Sequence, residues 1–207
     1  MNAFQNRRPK LIGEDSYPQY AVSIPLVKTE DGICLVFEKR AKKLRRQPGE
    51  ICFPGGKLEE GESLVACALR ETKEELLILE EQMTVIGPGD IFLSPFRFMI
   101  HSFLVKIDNY RGTYSSDEVE EILTIPLAFF YEHEPQTFQS ILKNEPSHDF
   151  PYEWIPGGEN YPWLKGSYDI LFYRYGEETI WGMTAQLLKS AVELVKDYDL
   201  ITEVFSR

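Results

Sequence analysis

The sequence is poor in cysteine and histidine. Its three cysteines (Cys34, Cys52 and Cys67) form no C-x-x-C pair, and its three histidines (His101, His133 and His148) show no ligand spacing. A disulfide scaffold and a cysteine/histidine zinc site are therefore excluded, and the scattered thiols point to a reducing, cytoplasmic setting. No apolar run approaches the roughly 20 residues that a membrane-spanning helix needs. The N-terminal stretch is basic but has no apolar segment of the kind that marks a secretory leader. Positive charge is in deficit: 22 Lys and Arg face 33 Asp and Glu, for a net charge of −11. That sign is unsuited to general binding of nucleic acid or anionic membrane, which relies on cations to displace counterions. An aromatic content of 13% and a hydrophobic content of 43% exclude a disordered chain and suffice for a core.

What is present reads as a mixed α/β (α+β) chain. Residues 1–19 are a polar lead-in. Residues 20–27 and 33–38 are strand-like, with Asp31-Gly32 as the turn signal of a hairpin between them. A loop carrying Gly55, Gly56 and Gly61 leads into a helix over 62–76. Further strands are expected at 83–86, 98–107, 120–127 (edged by Pro126) and 168–175, with a last helix over 184–198. Residues 144–167, rich in Pro, Gly and aromatics, form most of a loop-rich insertion around 130–167. No repeat and no linker divides residues 1–207, so the chain reads as one domain.

The helix over 62–76 carries the chemistry. Leu64, Cys67, Ala68 and Leu69 give it an apolar stripe. Glu71, Glu74 and Glu75 are spaced by three and four, so helical geometry makes them neighbours on one face. Like charges so placed repel. Such a cluster is either a solvated face, offset by Arg70 and Lys73, or the oxygen-rich site of a hard divalent cation. The acidic run 117–121 poses the same question. It is either an exposed turn or a source of catalytic carboxylates.

The pattern Gly56, Glu62, Arg70-Glu71, Glu74-Glu75 resembles the Nudix box, with every fixed position at the family's spacing. The box usually has an aliphatic residue where this chain has Thr72, and a glycine where it has Leu77. The resemblance implies a Nudix fold, with a mixed β-sheet sandwiched between α-helices and the box as loop–helix–loop. It also implies hydrolysis of a diphosphate with Mg²⁺ or Mn²⁺. By the same resemblance Glu71, Glu74, Glu75 and the Gly56 carbonyl are metal ligands. Glu62, Arg70 and Gly55 support the site. The catalytic carboxylates come from Glu71, Glu74, Glu118 and Glu121, with the general base left open among Glu74 and the acidic run.

A second resemblance narrows the substrate. Arg40, Ala41, Arg45, Gly49 and the run Phe53-Pro54-Gly55-Gly56 keep the spacing of the coenzyme A pyrophosphatase branch of that family, and residues 180–185 (IWGMTA) are similar to it too. That branch usually has threonine where this chain has Glu38. The implied reaction cuts coenzyme A or acyl-CoA to 3′-phosphoadenosine 5′-phosphate and (acyl-)4′-phosphopantetheine. Arg40 and Arg45 would bind substrate, since the planar guanidinium fork matches phosphate oxygens. The segment 38–46 holds six basic residues against one Glu, and a solvated hairpin edge would need charge there as well. Ten aromatics between 150 and 181 are either packing or a surface for adenine and pantetheine. The implied partner is a small nucleotide substrate, not nucleic acid or membrane, and a homodimer is left open. The alternatives are a Nudix hydrolase of another nucleoside diphosphate derivative, such as ADP-ribose, and a Nudix-like module that binds a nucleotide without cutting it.

Overall fold

The structure is a computed structural model and describes residues 10–205; residues 1–9 of the expected lead-in lie outside it. Residues 10–18 hold one 3₁₀ turn, Glu14–Ser16. The hairpin forms from strands β1 (Gln19–Thr29) and β2 (Gly32–Arg40). Its turn falls one residue earlier than expected. Thr29 faces Gly32, so Glu30 and Asp31 make the turn, and Gly32 opens β2 with a positive φ of 98°.

The two strands then part. Only the far end of β1, from Leu26 to Thr29, pairs with β2. The near end, Tyr20 to Val22, pairs instead with β4 (Gly55–Lys57), while Glu38 and Lys39 of β2 pair with β3 (Ile51–Cys52). The glycine-rich loop is thus wedged between diverging strands. Gly55 is required by close approach, because a methyl group there would run into the backbone of Ala21 and Val22. Phe53 anchors the loop by stacking on the fully buried Phe37 at 4.7 Å between ring centroids. Burying one such ring is worth about 2 kcal/mol.

Strands β5 (Met83–Leu93), β6 (Met99–Ile107) and β7 (Val119–Pro126) complete a mixed sheet, in which β1 and β6 are parallel. Strand β5 runs well past the expected end at residue 86. It is an edge strand, and it takes in Gly87, Pro88 and Gly89 through two irregularities of register.

The sheet buries both faces. Leu35 and Phe37 point into a large core with the helices α2 (Leu127–Glu132) and α3 (Gly182–Asp197), and Cys34 and Val36 point the other way, toward α1 (Leu64–Leu76). Helix α4 (Leu200–Phe205) packs beside α3 through Leu200, Ile201 and Phe205. The sequence reading missed α2, α4 and four strands: the short β3 and β4 and two more. One of these, β8 (Gln136–Leu142), lies inside the segment read as loop-rich. It joins β9 (Gly166–Tyr175) and β10 (Glu178–Trp181) in a second, three-stranded sheet. Most of β8 is exposed, so burial imposed no clean alternation on its sequence. No helix of the described residues is long and apolar enough to cross a membrane.

Helix α1 begins where Ser63 accepts a hydrogen bond from the Ala66 N–H at 3.2 Å. It ends at Leu77, which takes the left-handed conformation, φ 51° and ψ 47°. Glycine is the usual residue at such a position because a Cβ is strained there. Leu77 is exposed and offsets little of that strain by packing. Leu77→Gly is expected to stabilise the fold by about 1 kcal/mol, seen as a higher urea midpoint with an unchanged slope; a lower midpoint would contradict this account of the helix end.

Candidate active site

The buried face of α1 consists of Cys67, Ala68, Thr72, Glu75 and Leu76. Two of these are polar, and each has a reason to be there. The Thr72 hydroxyl lies 2.7 Å from both the Ser23 hydroxyl and the Ala68 carbonyl, so a buried threonine replaces the usual aliphatic residue against a matching serine on β1. Glu75 accepts a hydrogen bond from the Gly55 N–H at 2.9 Å. This bond fastens the helix to the loop that opens the box.

The three glutamates fan around one edge of the helix. Glu75 faces the sheet, Glu71 is partly buried and Glu74 is exposed. A methyl group on Gly56 would overlap the Glu71 carboxylate, so that glycine is the space into which Glu71 fits. Arg70 grips Glu62 through two hydrogen bonds, at 3.0 and 3.2 Å, and also reaches Glu71 at 2.9 Å and Glu74 at 3.4 Å. The Glu62 carboxylate also accepts the Glu59 N–H at 2.8 Å, and these contacts, Arg70 first, lower its pKa to about 2. Glu62 and Arg70 thereby clamp the loop onto the helix.

The acidic run is largely paired with the basic segment. Lys43 meets Asp117 at 2.8 Å, Lys42 meets Glu120 at 2.8 Å, and Lys39 lies 3.9 Å from Glu121. Glu121 pairs with Lys39 across β7 and β2, on the side of the sheet away from α1. Glu118 has no ion pair among the described residues. It is close enough to Glu38, Glu71 and Glu75 to raise the pKa of each.

Glu38 is the residue the sequence reading left out of the site. It is 1% exposed on β2. Its pKa is raised, first by burial and then by Glu118 and Glu71; that of Glu75 is raised by burial and then by Glu38. A glutamate on the inward register of a buried strand, two residues beyond Val36, was the available signal.

A cavity of about 510 Å³ meets the box at Gly55 and Gly56. Arg40, Arg46, Gln47, Glu50 and Cys52 line it, with Tyr20, Val22 and Phe98 among its apolar walls. A register shift between Lys39 and Arg40 re-aims the chain there, as bulges do. Arg45 is exposed and is not part of this lining; its neighbour Arg46 is. An adjoining cavity of about 250 Å³ is lined by Phe92, Phe96, Tyr168 and Trp181. Of the other aromatics between 150 and 181, Phe150, Tyr161 and Trp163 pack against one another, and Tyr173 packs on Phe130. Burial raises the thiol of Cys52 and pushes that of Cys67 up to about 12, so neither is a ready nucleophile.

Among the described residues no three His, Cys, Asp or Glu side chains converge on a metal position. Arg70 engages Glu71 and Glu74 instead. The donor chemistry nevertheless fits a hard cation: carboxylates repel one another beside a glycine carbonyl, and one buried carboxylate oxygen, Glu38 Oε2, has no partner.

This combination of a mixed sheet, a clamped loop–helix–loop and clustered glutamates defines a class. The NUDIX domain matches residues 17–154, and the chain belongs to the Nudix hydrolases, a family of pyrophosphohydrolases that act on small nucleotide substrates and generally use divalent metal ions. Its relatives include the peroxisomal coenzyme A diphosphatase NUDT7 of Mus musculus, 30% identical over 138 residues, or 64% of this chain. The chain spans 56% of the length of that protein. An uncharacterized Nudix hydrolase NudL of Citrobacter koseri is 35% identical over 132 residues, covering 62% of this chain and 68% of its own. A MutT/nudix family protein from Enterococcus faecalis has a similar fold, with a TM-score of 0.50 and 15% identity over 94% of this chain and 66% of that one.

The crowded carboxylates make stability depend on pH. Glu38 and Glu75 hold protons more tightly when folded than when unfolded. The folded state therefore binds more protons once pH exceeds about 4, and stability falls as pH rises through neutral. In chelator-treated protein the melting temperature is expected to fall on going from mildly acidic to alkaline buffer, and Mg²⁺ is expected to restore part of it. A flat profile would contradict the burial of these groups as acids.

Proposed function

We propose that the protein hydrolyses the diphosphate of coenzyme A or acyl-CoA, giving 3′-phosphoadenosine 5′-phosphate and (acyl-)4′-phosphopantetheine. The observation that carries this reading is the junction at Gly55 and Gly56. There the loop held by Glu75 of the carboxylate-rich helix borders a cavity of about 510 Å³ lined also by Arg40 and Arg46. The mouse relative is named as a coenzyme A diphosphatase, which supports the same substrate.

Glu71, Glu74 and Glu75, with the Gly56 carbonyl, would hold Mg²⁺ or Mn²⁺. A bound divalent cation supplies charge neutralisation at the diphosphate and makes water a better nucleophile. The chain's own groups do the rest. The Glu62–Arg70 clamp fixes the loop carbonyls. Arg40 receives phosphate oxygens on the cavity side. Water attacks one phosphorus, its proton passes to a carboxylate, and the bridging P–O bond breaks with its electron pair leaving on the departing phosphate. Glu118 suits the role of proton acceptor better than its neighbours. Asp117 and Glu120 are tied to lysines and Glu74 to Arg70, and Glu121 lies on the far side of the sheet, whereas Glu118 is unpaired among the described residues.

Two measurements test this. With Mg²⁺ present, chromatography of the products from coenzyme A, dephospho-CoA and ADP-ribose is expected to show coenzyme A cut at the diphosphate. Loss of the 3′-phosphate contact is expected to cost dephospho-CoA about tenfold or more in kcat/KM. Equal rates would remove the coenzyme A assignment in favour of a broader nucleoside diphosphate hydrolase, and no turnover of any of them would favour a binding module. Glu118→Gln is expected to lower kcat by about a hundredfold with KM little changed. The same loss from Glu121→Gln instead would move the role across the sheet.

A further inference from the structure

Glu38 is a buried carboxylate with one oxygen accounted for. Cys52 Sγ donates to Oε1 at 3.2 Å, and Oε2 has no hydrogen-bond partner among the described residues. Protonation does not resolve this, because a proton on Oε2 would itself need an acceptor and none is present. No Lys or Arg of the described residues comes within 4.0 Å of the carboxylate, so it is not half of a buried ion pair. A buried polar atom left in this way is costly unless something outside the chain covers it.

The placement of Glu38 indicates what covers it. Strand alternation puts it on the same side of β2 as Cys34 and Val36, which pack with Leu76 at the end of α1. Its partner across the sheet is Cys52, three residues before Gly55. The Gly55 N–H is bound by Glu75. Glu38 from the sheet and Glu75 from the helix thus approach the opening of the box from opposite sides. Glu71, Glu75 and Glu118 are all near enough to act on its charge, and Arg40 is near enough to offset part of it without pairing with the carboxylate.

We infer that Glu38 is an additional carboxylate ligand for the divalent cation of the box, supplied by strand β2 and aimed through its unpartnered oxygen. The inference rests on the reading of the box as a metal site. It is a feature of this chain, since the coenzyme A branch it resembles usually carries threonine at this position, and threonine brings no charge.

The test uses Mn²⁺ alone, titrated into metal-free full-length protein and followed by calorimetry and by the rise in melting temperature on saturation. Glu38→Gln is expected to weaken Mn²⁺ binding at least tenfold, the scale on which even the outer partners of metal ligands act. The temperature rise should shrink with it, and Glu38→Asp should recover part of both. Binding by Glu38→Gln within twofold of the parent would overturn the inference and leave a bound water as the cover for Oε2. If Glu38→Gln does not fold, as judged by circular dichroism, Glu38→Thr takes its place under the same criterion. Glu71→Gln separates the two layers of the argument. If Glu71→Gln weakens Mn²⁺ binding and Glu38→Gln does not, only the role of Glu38 fails. If neither does, the box reading fails with it.

Discussion

The hydrogen bond from the Gly55 N–H to the buried Glu75 carboxylate, at 2.9 Å, is the contact on which the rest of the site depends. It joins helix α1 to a loop wedged between two parting strands. Helix α1 must then sit low enough on the sheet to bury Thr72 and Glu75, and Gly56 must stay bare to admit Glu71. A carboxyl oxygen accepting a backbone N–H inside the protein makes a stronger bond than it would in water. The same burial makes the remaining charge expensive. The site is thus fastened by one carboxylate contact and strained by the number of carboxylates around it.

That balance gives the surrounding groups their roles. Arg70 holds Glu62 and offsets the partly buried Glu71 and the exposed Glu74. Two lysines of the basic segment draw off Asp117 and Glu120, while Lys39 is bound by Glu178 at 2.7 Å with Glu121 beside it. Glu118, Glu38 and Glu75 have no ion pair among the described residues, although Arg40 is near enough to offset part of the charge on Glu38. The carboxylates left unneutralised are those nearest Gly55 and Gly56, where the cavity also arrives. A diphosphate bound as proposed would bring still more negative charge to that point. The local geometry therefore calls for a cation more strongly than the overall net charge of −11 does.

Much of this was legible in the chain. The spacing of Gly56, Glu62, Arg70, Glu71, Glu74 and Glu75 pointed to the loop–helix–loop, the apolar stripe pointed to α1, and a last helix was expected where α3 lies. The main strands were readable where both faces are buried, as in residues 33–38. Strand β8 was not readable, because most of its residues are exposed, and β5 was cut short because an edge strand tolerates the Gly and Pro that signal a loop. Arg40 and Arg45 looked equivalent by spacing. The register shift after Lys39 and the following loop turn one toward the cavity and leave the other outside its lining.

The sequence by itself determined the family, the position of the glutamate-bearing helix and the identity of most of the charges, because those depend on local spacing along one element. Only the tertiary structure decided which charges are free. Whether a carboxylate is paired, buried or exposed depends on partners distant in the chain: Lys42 with Glu120, Lys43 with Asp117, Glu75 with Gly55. Glu38 makes the point most clearly. In the sequence it is one acid amid six basic residues. In the fold the strand turns it away from Lys39 and toward the box, and leaves one of its oxygens without a partner.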